Sequence, residues 1–202
     1  MPKFLIPNYL NEFNCIGSEC KDNCCNLPWK VIVDYPTYNR IKNKDDNSGF
    51  CNKLLDDMDK NEENPSQLYY AEMKQDGNEC SQLNENYFCN IQLKLGHEYL
   101  PRTCRLYPRI PNQVDGVFEF SSLMSCPEIV RLALLNEDIM EFEYKEDLKA
   151  PDIIFQSRSI DTNLDGLQKL FWNLRGITIE ILQERKYSLE DRLIYLGLFY
   201  NQ

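Results

Sequence analysis

Apolar and polar positions along the chain alternate in short, unlike segments, with no internal repeat or low-complexity tract. Residues 29–33 are β-prone, and Asp34 followed by Pro36 predicts a helix starting near Tyr35. Residues 43–66 are dense in Asn, Asp, Lys and Glu with Ser-Gly and Asn-Pro turn signals. They read as a solvated excursion, with Leu54, Leu55 and Met58 on one face of a short helix. Residues 68–74 alternate as a strand that stops at Asp76-Gly77, and residues 87–95 have helical spacing ending at Gly96. Residues 109–113 and 117–124 flank Asp115-Gly116, which predicts a hairpin.

Ser125-Cys126-Pro127-Glu128 combines an N-cap, a Pro near the first helical positions and a Glu three residues after the cap, so a helix through Leu135 is expected to start at Cys126. After an acidic stretch around 137–147, residues 164–183 have the spacing of a long amphipathic helix, and Ser188 with Asp191 marks another start. In that last helix Leu193, Ile194, Tyr195, Leu196, Leu198, Phe199 and Tyr200 are apolar nearly all round. Such a face expects a partner chain or a missing C-terminal half.

Charge and composition narrow the function. Lys and Arg total 22 against 32 Asp and Glu, a net charge of −10, so the broad basic footprint that nucleic acid requires is lacking and no nucleic-acid partner is expected. No stretch approaches the roughly 18–20 apolar residues of a membrane span, and the opening Met-Pro-Lys-Phe-Leu-Ile-Pro has two prolines and no long apolar run. The chain therefore reads as cytoplasmic, with no membrane association. Its nine cysteines all fall before residue 127. That asymmetry divides the chain into a cysteine-rich domain, 1–135, and a truncated helical segment, 136–202.

A reducing compartment gives little reason to collect thiols for disulfides, which makes metal binding the leading explanation. His97 is the single histidine, so a site here is built from thiolates, the ligands of zinc and iron–sulfur clusters. Cys15, Cys20, Cys24 and Cys25 pack four thiols into eleven residues, and Cys80, Cys89, Cys104 and Cys126 supply four more. Eight is the number for two four-thiolate sites, or for one cluster and one zinc. Adjacent Cys24 and Cys25 cannot point the same way in a regular strand: either the backbone turns there or the two serve different metals. Cys51 stands apart and reads as a small buried hydrophobe, and His97 as a surface or capping residue. Arg102, Arg105 and Arg109 place three guanidinium groups around Cys104, able to offset thiolate charge. The spacing fits neither a zinc ribbon nor the radical-type Cys-x3-Cys-x2-Cys, since position 27 is Leu27.

Several of these motifs in order resemble the flagellin lysine-N-methylase family: Phe13-x-Cys15-Ile16-Gly17-Ser18-x-Cys20-x-Asp22-x-Cys24-Cys25 with Trp29, Cys80 and Cys89 before Leu95-Gly96, Thr103-Cys104-Arg105-x-Tyr107-Pro108-Arg109, and Ser125-Cys126-Pro127-Glu128 before Arg131-Leu132. The resemblance spans about residues 3–135. It implies methyl transfer from S-adenosylmethionine to lysine ε-amines of flagellin, with Cys15, Cys20, Cys24, Cys25, Cys80, Cys89, Cys104 and Cys126 holding an iron–sulfur cluster or, alternatively, zinc. Members of that family look about twice as long as this chain, which reads as an N-terminal half. No Gly-rich donor-binding fingerprint is present, and Glu98, Tyr99, Tyr107 and Glu128 are near the cysteines in sequence without any one being marked as a base. The other functional class is a non-catalytic cysteine-cluster module whose metal substitutes for part of a small core and whose exposed helix docks a partner. The expected fold is a mainly helical α+β, with small irregular strands near residues 30, 70 and 105–124 and a hairpin around a cysteine-ligated metal centre.

Overall fold

The computed structural model describes residues 4–146, 158–163 and 166–201. Its elements run β1 (Phe4–Pro7), α1 (Tyr9–Glu12), β2 (Ile32–Val33), α2 (Tyr35–Lys42), α3 (Phe50–Asp56), β3 (Met58–Lys60), β4 (Ala71–Met73), β5 (Gln75–Asp76) and β6 (Glu79–Cys80). They continue with α4 (Asn90–Lys94), α5 (Arg102–Leu106), β7 (Arg109–Val114), β8 (Val117–Ser122), α6 (Pro127–Leu134), β9 (Phe142–Lys145), β10 (Arg158–Ile160), α7 (Phe171–Gln183) and α8 (Leu189–Tyr200). Helices and strands are mixed, as an α+β reading expects.

The chain forms two compact units, and neither is a continuous stretch. A sheet unit gathers the described residues of Met1–Glu12, Pro111–Ser121 and Ala133–Gln202, and a cysteine-rich unit gathers Phe13–Ile110 and Ser122–Leu132. The grouping differs from a cut at residue 135 because strand pairing recruits distant segments. β1 pairs in parallel with β8, Phe4 opposite Phe118, and antiparallel with β9, Phe4 opposite Lys145. β10 adds in parallel to β7, giving the order β10-β7-β8-β1-β9. This five-stranded sheet is larger than the small irregular strands expected. Its hairpin turns at Asp115 and Gly116, both with positive φ (49° and 78°), the backbone that suits a two-residue turn between twisted strands.

In the sheet unit Phe4 stacks on Phe118 and Phe120 at 5.5 and 6.0 Å between ring centres, and Ile6 and Val114 are buried too. The expected helix over 164–183 is observed as Phe171–Gln183 after a tight turn at Leu167–Leu170, while its expected start at Leu164 falls outside the described residues. The Ser188 side chain accepts from the Asp191 N–H at 3.1 Å, so α8 starts where the capping signal places it. Leu193, Ile194, Tyr195 and Leu198 stay exposed along it. Among the described residues no helix is long and apolar enough to cross a membrane.

The cysteine-rich unit is organised around the antiparallel order β2-β4-β3, with Val33 opposite Ala71 and Met58 opposite Met73. Val33, Ile41, Leu54, Ala71, Met73 and Ile91 form its buried centre. The polar stretch 43–66 is thus no mere excursion: it supplies α3 and β3, and Leu54 and Met58 are buried. Residues 102–106, expected near strand structure, form the short helix α5 instead, which carries Cys104.

Candidate functional site

All nine cysteines lie in the cysteine-rich unit, and all have free thiols. Cys15 is exposed, Cys80 and Cys126 are buried with Cys51, and the other five are half-buried. The loop carrying the first four begins with a turn over Gly17–Glu19 and then reverses at Asn23. There Asn23 Oδ1 accepts the Cys25 N–H at 2.8 Å, the local bond an Asn favours at a turn. Trp29 Nε1 donates to the Cys24 carbonyl at 2.8 Å, and its ring meets Tyr107 edge-on at 4.7 Å. The backbone therefore does turn at the adjacent pair, as one of the two readings of Cys24-Cys25 requires.

Backbone bonds bring the distant cysteines in. Cys80 N–H donates to the Cys25 carbonyl at 2.8 Å. Leu83 bridges to Cys89, which immediately precedes α4. Cys104 rides on α5, anchored where Asp34 Oδ2 accepts the Arg102 N–H at 3.2 Å. Asp34 also caps α2 through the Thr37 N–H at 2.9 Å and accepts from the Thr37 hydroxyl at 2.9 Å. Cys126 immediately precedes α6, its carbonyl accepting from the Val130 N–H at 3.0 Å. Glu128 does not close the expected capping box, because both its oxygens take Arg131, at 2.6 and 2.8 Å.

Electrostatics group the eight into two sets that share Cys24, whose charge also reaches Cys80, Cys89 and Cys104. Burial pushes the Cys20 and Cys126 thiols up; Cys20 also feels the charges of Cys126, Cys24 and Cys15, and Cys126 those of Cys15 and Cys24. Burial likewise raises Cys80, Cys89 and Cys104, the last well above the ordinary thiol range, and Cys104 feels Cys89, Cys80 and Cys24. Cys25 is raised by its hydrogen bond with Cys24, by burial and by the charges of Cys24, Cys104 and Cys89. That same bond lowers Cys24 to about 7. Packing follows the division: Cys25, Cys80, Cys89 and Cys104 lie in or against the buried centre, whereas Cys15, Cys20, Cys24 and Cys126 do not. Cys24-Cys25 is the seam between the sets.

Backbone N–H groups oppose the burial at four positions: Asp22 at Cys20, Gln82 at Cys80, Gln92 and Ile91 at Cys89, and Ile129 and Glu128 at Cys126. Donors one or two residues beyond the neighbour of each sulfur favour the thiolate, the form that ligates metals. Among the described residues no group of three or more Cys, His, Asp or Glu side chains is arranged to hold a metal ion as it stands.

The remaining expectations resolve individually. Cys51 sits in the core and feels Asp46 and Lys44, with no other cysteine among its influences. His97 is exposed on a short turn over His97–Tyr99. Of the three arginines, Arg105 is the one that lowers Cys104, while its Nη1 donates to the Glu98 carbonyl at 3.1 Å. Arg102 is buried, and Arg109 lies over the Phe13 ring at 5.0 Å. Tyr107 is raised by burial and by the charges of Cys126, Cys24 and Cys20, which places it beside the first set. Tyr99 faces the Lys44 ammonium at 4.9 Å. Asn23, Trp29 and Asp34, which position the cysteines, are not among the expected site residues, although Asp34 reads as a helix start and Trp29 belongs to the cysteine motif; Asn23, a turn residue directly before the cysteine pair, is the position whose local preference goes unused.

Comparison with known proteins gives three relatives. The chain is 26% identical over 149 residues to the flagellar biosynthetic protein FliU of Salmonella muenchen, covering 73% of this chain and 86% of that one. It is 27% identical over 140 residues to the lysine-N-methylase of Salmonella choleraesuis and 27% over 139 residues to that of Salmonella typhimurium, in both cases 69% of this chain. The alignments cover 34% of each lysine-N-methylase, so the matched region amounts to about a third of those proteins. The resemblance read from the cysteine motifs is thus met by similarity in sequence. No protein-family model matches, and no solved structure matches.

Proposed function

We propose that the chain works in protein-lysine N-methylation, using S-adenosylmethionine as donor and flagellin as substrate in the cytoplasm, with a metal held by the cysteine-rich unit. The observation that supports this reading is the similarity to two lysine-N-methylases over 69% of the chain. The donor set fits a thiolate-bound metal: eight thiols in one unit, with backbone N–H groups facing four of them. Cys15, Cys20, Cys24 and Cys126 would hold one centre, and Cys25, Cys80, Cys89 and Cys104 a second. When bound, an iron–sulfur cluster supplies redox capacity and zinc supplies a structural cross-link.

The chain's own residues hold the sulfurs in place. Asp34 ties α5 to the start of α2, and Asn23 and Trp29 fix the backbone at the adjacent pair. Methyl transfer to nitrogen needs a neutral lysine aligned with the donor methyl, because an ammonium has no lone pair. No residue is assigned as base. The test is incubation of the anaerobically purified chain with S-adenosylmethionine and flagellin, read by intact mass. A methyl increment on flagellin lysines supports the reading, and none from protein loaded with its metal overturns it for this chain.

A second reading is favoured by coverage: the match takes in 86% of FliU but 34% of the lysine-N-methylases. On that reading the chain is a non-catalytic metal-binding module. Metal retained at stoichiometry, without binding of S-adenosylmethionine, selects it.

A further inference from the structure

The sheet unit contains a cavity of about 310 Å³ that the cysteine chemistry does not use. Phe120, Met140, Phe142 and Ile179 line it, together with Glu119 and Arg175. Its volume is at the lower end for small-molecule sites, and its wall has their usual character: apolar, with a few polar groups.

The polar part of that wall is unbalanced. Arg175 Nη1 alone serves both Glu119 oxygens, at 2.6 and 2.7 Å. The guanidinium is held among the rings of Phe142, Phe171 and Trp172, 5.6–5.9 Å from their centres. Among the described residues no acceptor is bonded to Arg175 Nε or Nη2. Ser121 Oγ accepts from Asn112 Nδ2 at 3.3 Å, which leaves its hydroxyl hydrogen to donate. Arg175 is also the more accessible partner, its side chain 25% exposed against 9% for Glu119. The uncommitted groups are donors around a fixed planar cation, and the committed carboxylate is the buried one. That arrangement asks for a ligand acceptor, not a ligand cation.

We propose that this cavity binds a small monocarboxylate with an aromatic or aliphatic body: the carboxylate on Arg175 Nε/Nη2 and the Ser121 hydroxyl, the body against Phe120, Phe142 and Ile179. Glu119 orients the guanidinium and keeps it from folding out to water. Nothing in this assignment depends on the methylation reading, because the cavity lies wholly within the sheet unit.

The test is titration of the 202-residue chain with benzoate, phenylacetate and hexanoate, followed by saturation-transfer NMR, with benzamide and benzylamine as uncharged and cationic controls. The acids are expected to bind and the controls not. Arg175→Lys keeps the charge beside Glu119 but loses the planar donors, and weakens the acids about tenfold. Ser121→Ala leaves the ion pair intact and weakens them several-fold, which keeps the test open if Arg175→Lys fails to fold. Binding of benzamide or benzylamine as tight as benzoate, acid affinity unchanged in both variants, or no acid binding at about 10 mM overturns the proposal and leaves the ion pair a structural one.

Discussion

Asp34 is a joint whose removal has a calculable cost. Its side chain, in a residue 4% exposed, accepts three hydrogen bonds, from the Thr37 N–H, the Thr37 hydroxyl and the Arg102 N–H. Asp34→Ala removes an N-cap, about 1 kcal/mol, and takes the acceptor from the buried Arg102 N–H, about 1–3 kcal/mol. The expected loss is about 2–4 kcal/mol. Asp34→Asn separates the two parts: Oδ1 still caps α2, but an amide nitrogen now faces the Arg102 N–H, donor against donor. Its expected loss is about 1–3 kcal/mol, less than that of Asp34→Ala by about one cap. Urea unfolding followed by Trp29 fluorescence, in a Trp172→Phe background so that the signal comes from the cysteine-rich unit, gives both numbers. Because α5 carries Cys104, alkylation of that thiol should also quicken in Asp34→Ala. Stability within about 0.5 kcal/mol of the parent in both variants would refute the claim that Asp34 couples α2 to α5.

Three further outcomes are expected. Cys20→Ala and Cys104→Ala each lower bound metal, one from each set, whereas Cys51→Ala leaves it unchanged; equal retention in all three, by elemental analysis, defeats the assignment. Hydrogen bonds from the Ser48 hydroxyl and the Cys51 and Ser48 N–H groups hold the Asp46 carboxyl well below its usual range. Its contribution is therefore fully present above the unfolded carboxyl pKa and lost as pH falls further, so melting temperatures below about pH 4 should drop less steeply in Asp46→Asn. Gly17 has φ +55°, and a Cβ there would stand 3.3 Å from Phe88 Cε1. Gly17→Ala should cost about 1–2 kcal/mol in the same urea assay and lower metal retention in the Cys15–Cys25 loop.

Local chemistry was legible where a single residue decides the backbone. Asp34 with Pro36, Asp115 with Gly116, and Ser188 with Asp191 all sit where their turn or cap preferences place them. Long-range pairing was not. β1 is four residues long, too short for alternation to show, and its partner β8 lies more than a hundred residues away. β9, Phe142-Glu143-Tyr144-Lys145, has a strand's alternation but is embedded in an acidic stretch that masks it. Average polarity likewise hid the strand β3 within 43–66, although the apolar face that includes Leu54 and Met58 is visible there and both are buried. At the site, strand geometry alone shows that Cys24 and Cys25 need a backbone turn to face one another, and the chain does turn there. Which distant cysteine joins which neighbour could not be read, because the bond from Cys80 to Cys25 and the placement of α5 on Asp34 exist only in the folded chain.

The interleaving of the two units has a consequence for the order of events on the ribosome. β1 is the first strand to emerge, yet its partners β8 and β9 follow only after the entire run Phe13–Ile110 has been made. The cysteine-rich unit completes at Leu132, before β9 exists. Synthesis at about 5–20 residues per second then gives it a head start of about a second, during which β1 has β8 to pair with but still lacks β9 on its other edge. On the metal-binding reading, metal supplied in that interval meets a nascent chain, and a ribosome stalled once Leu132 has left the exit tunnel should already carry thiols protected from alkylation.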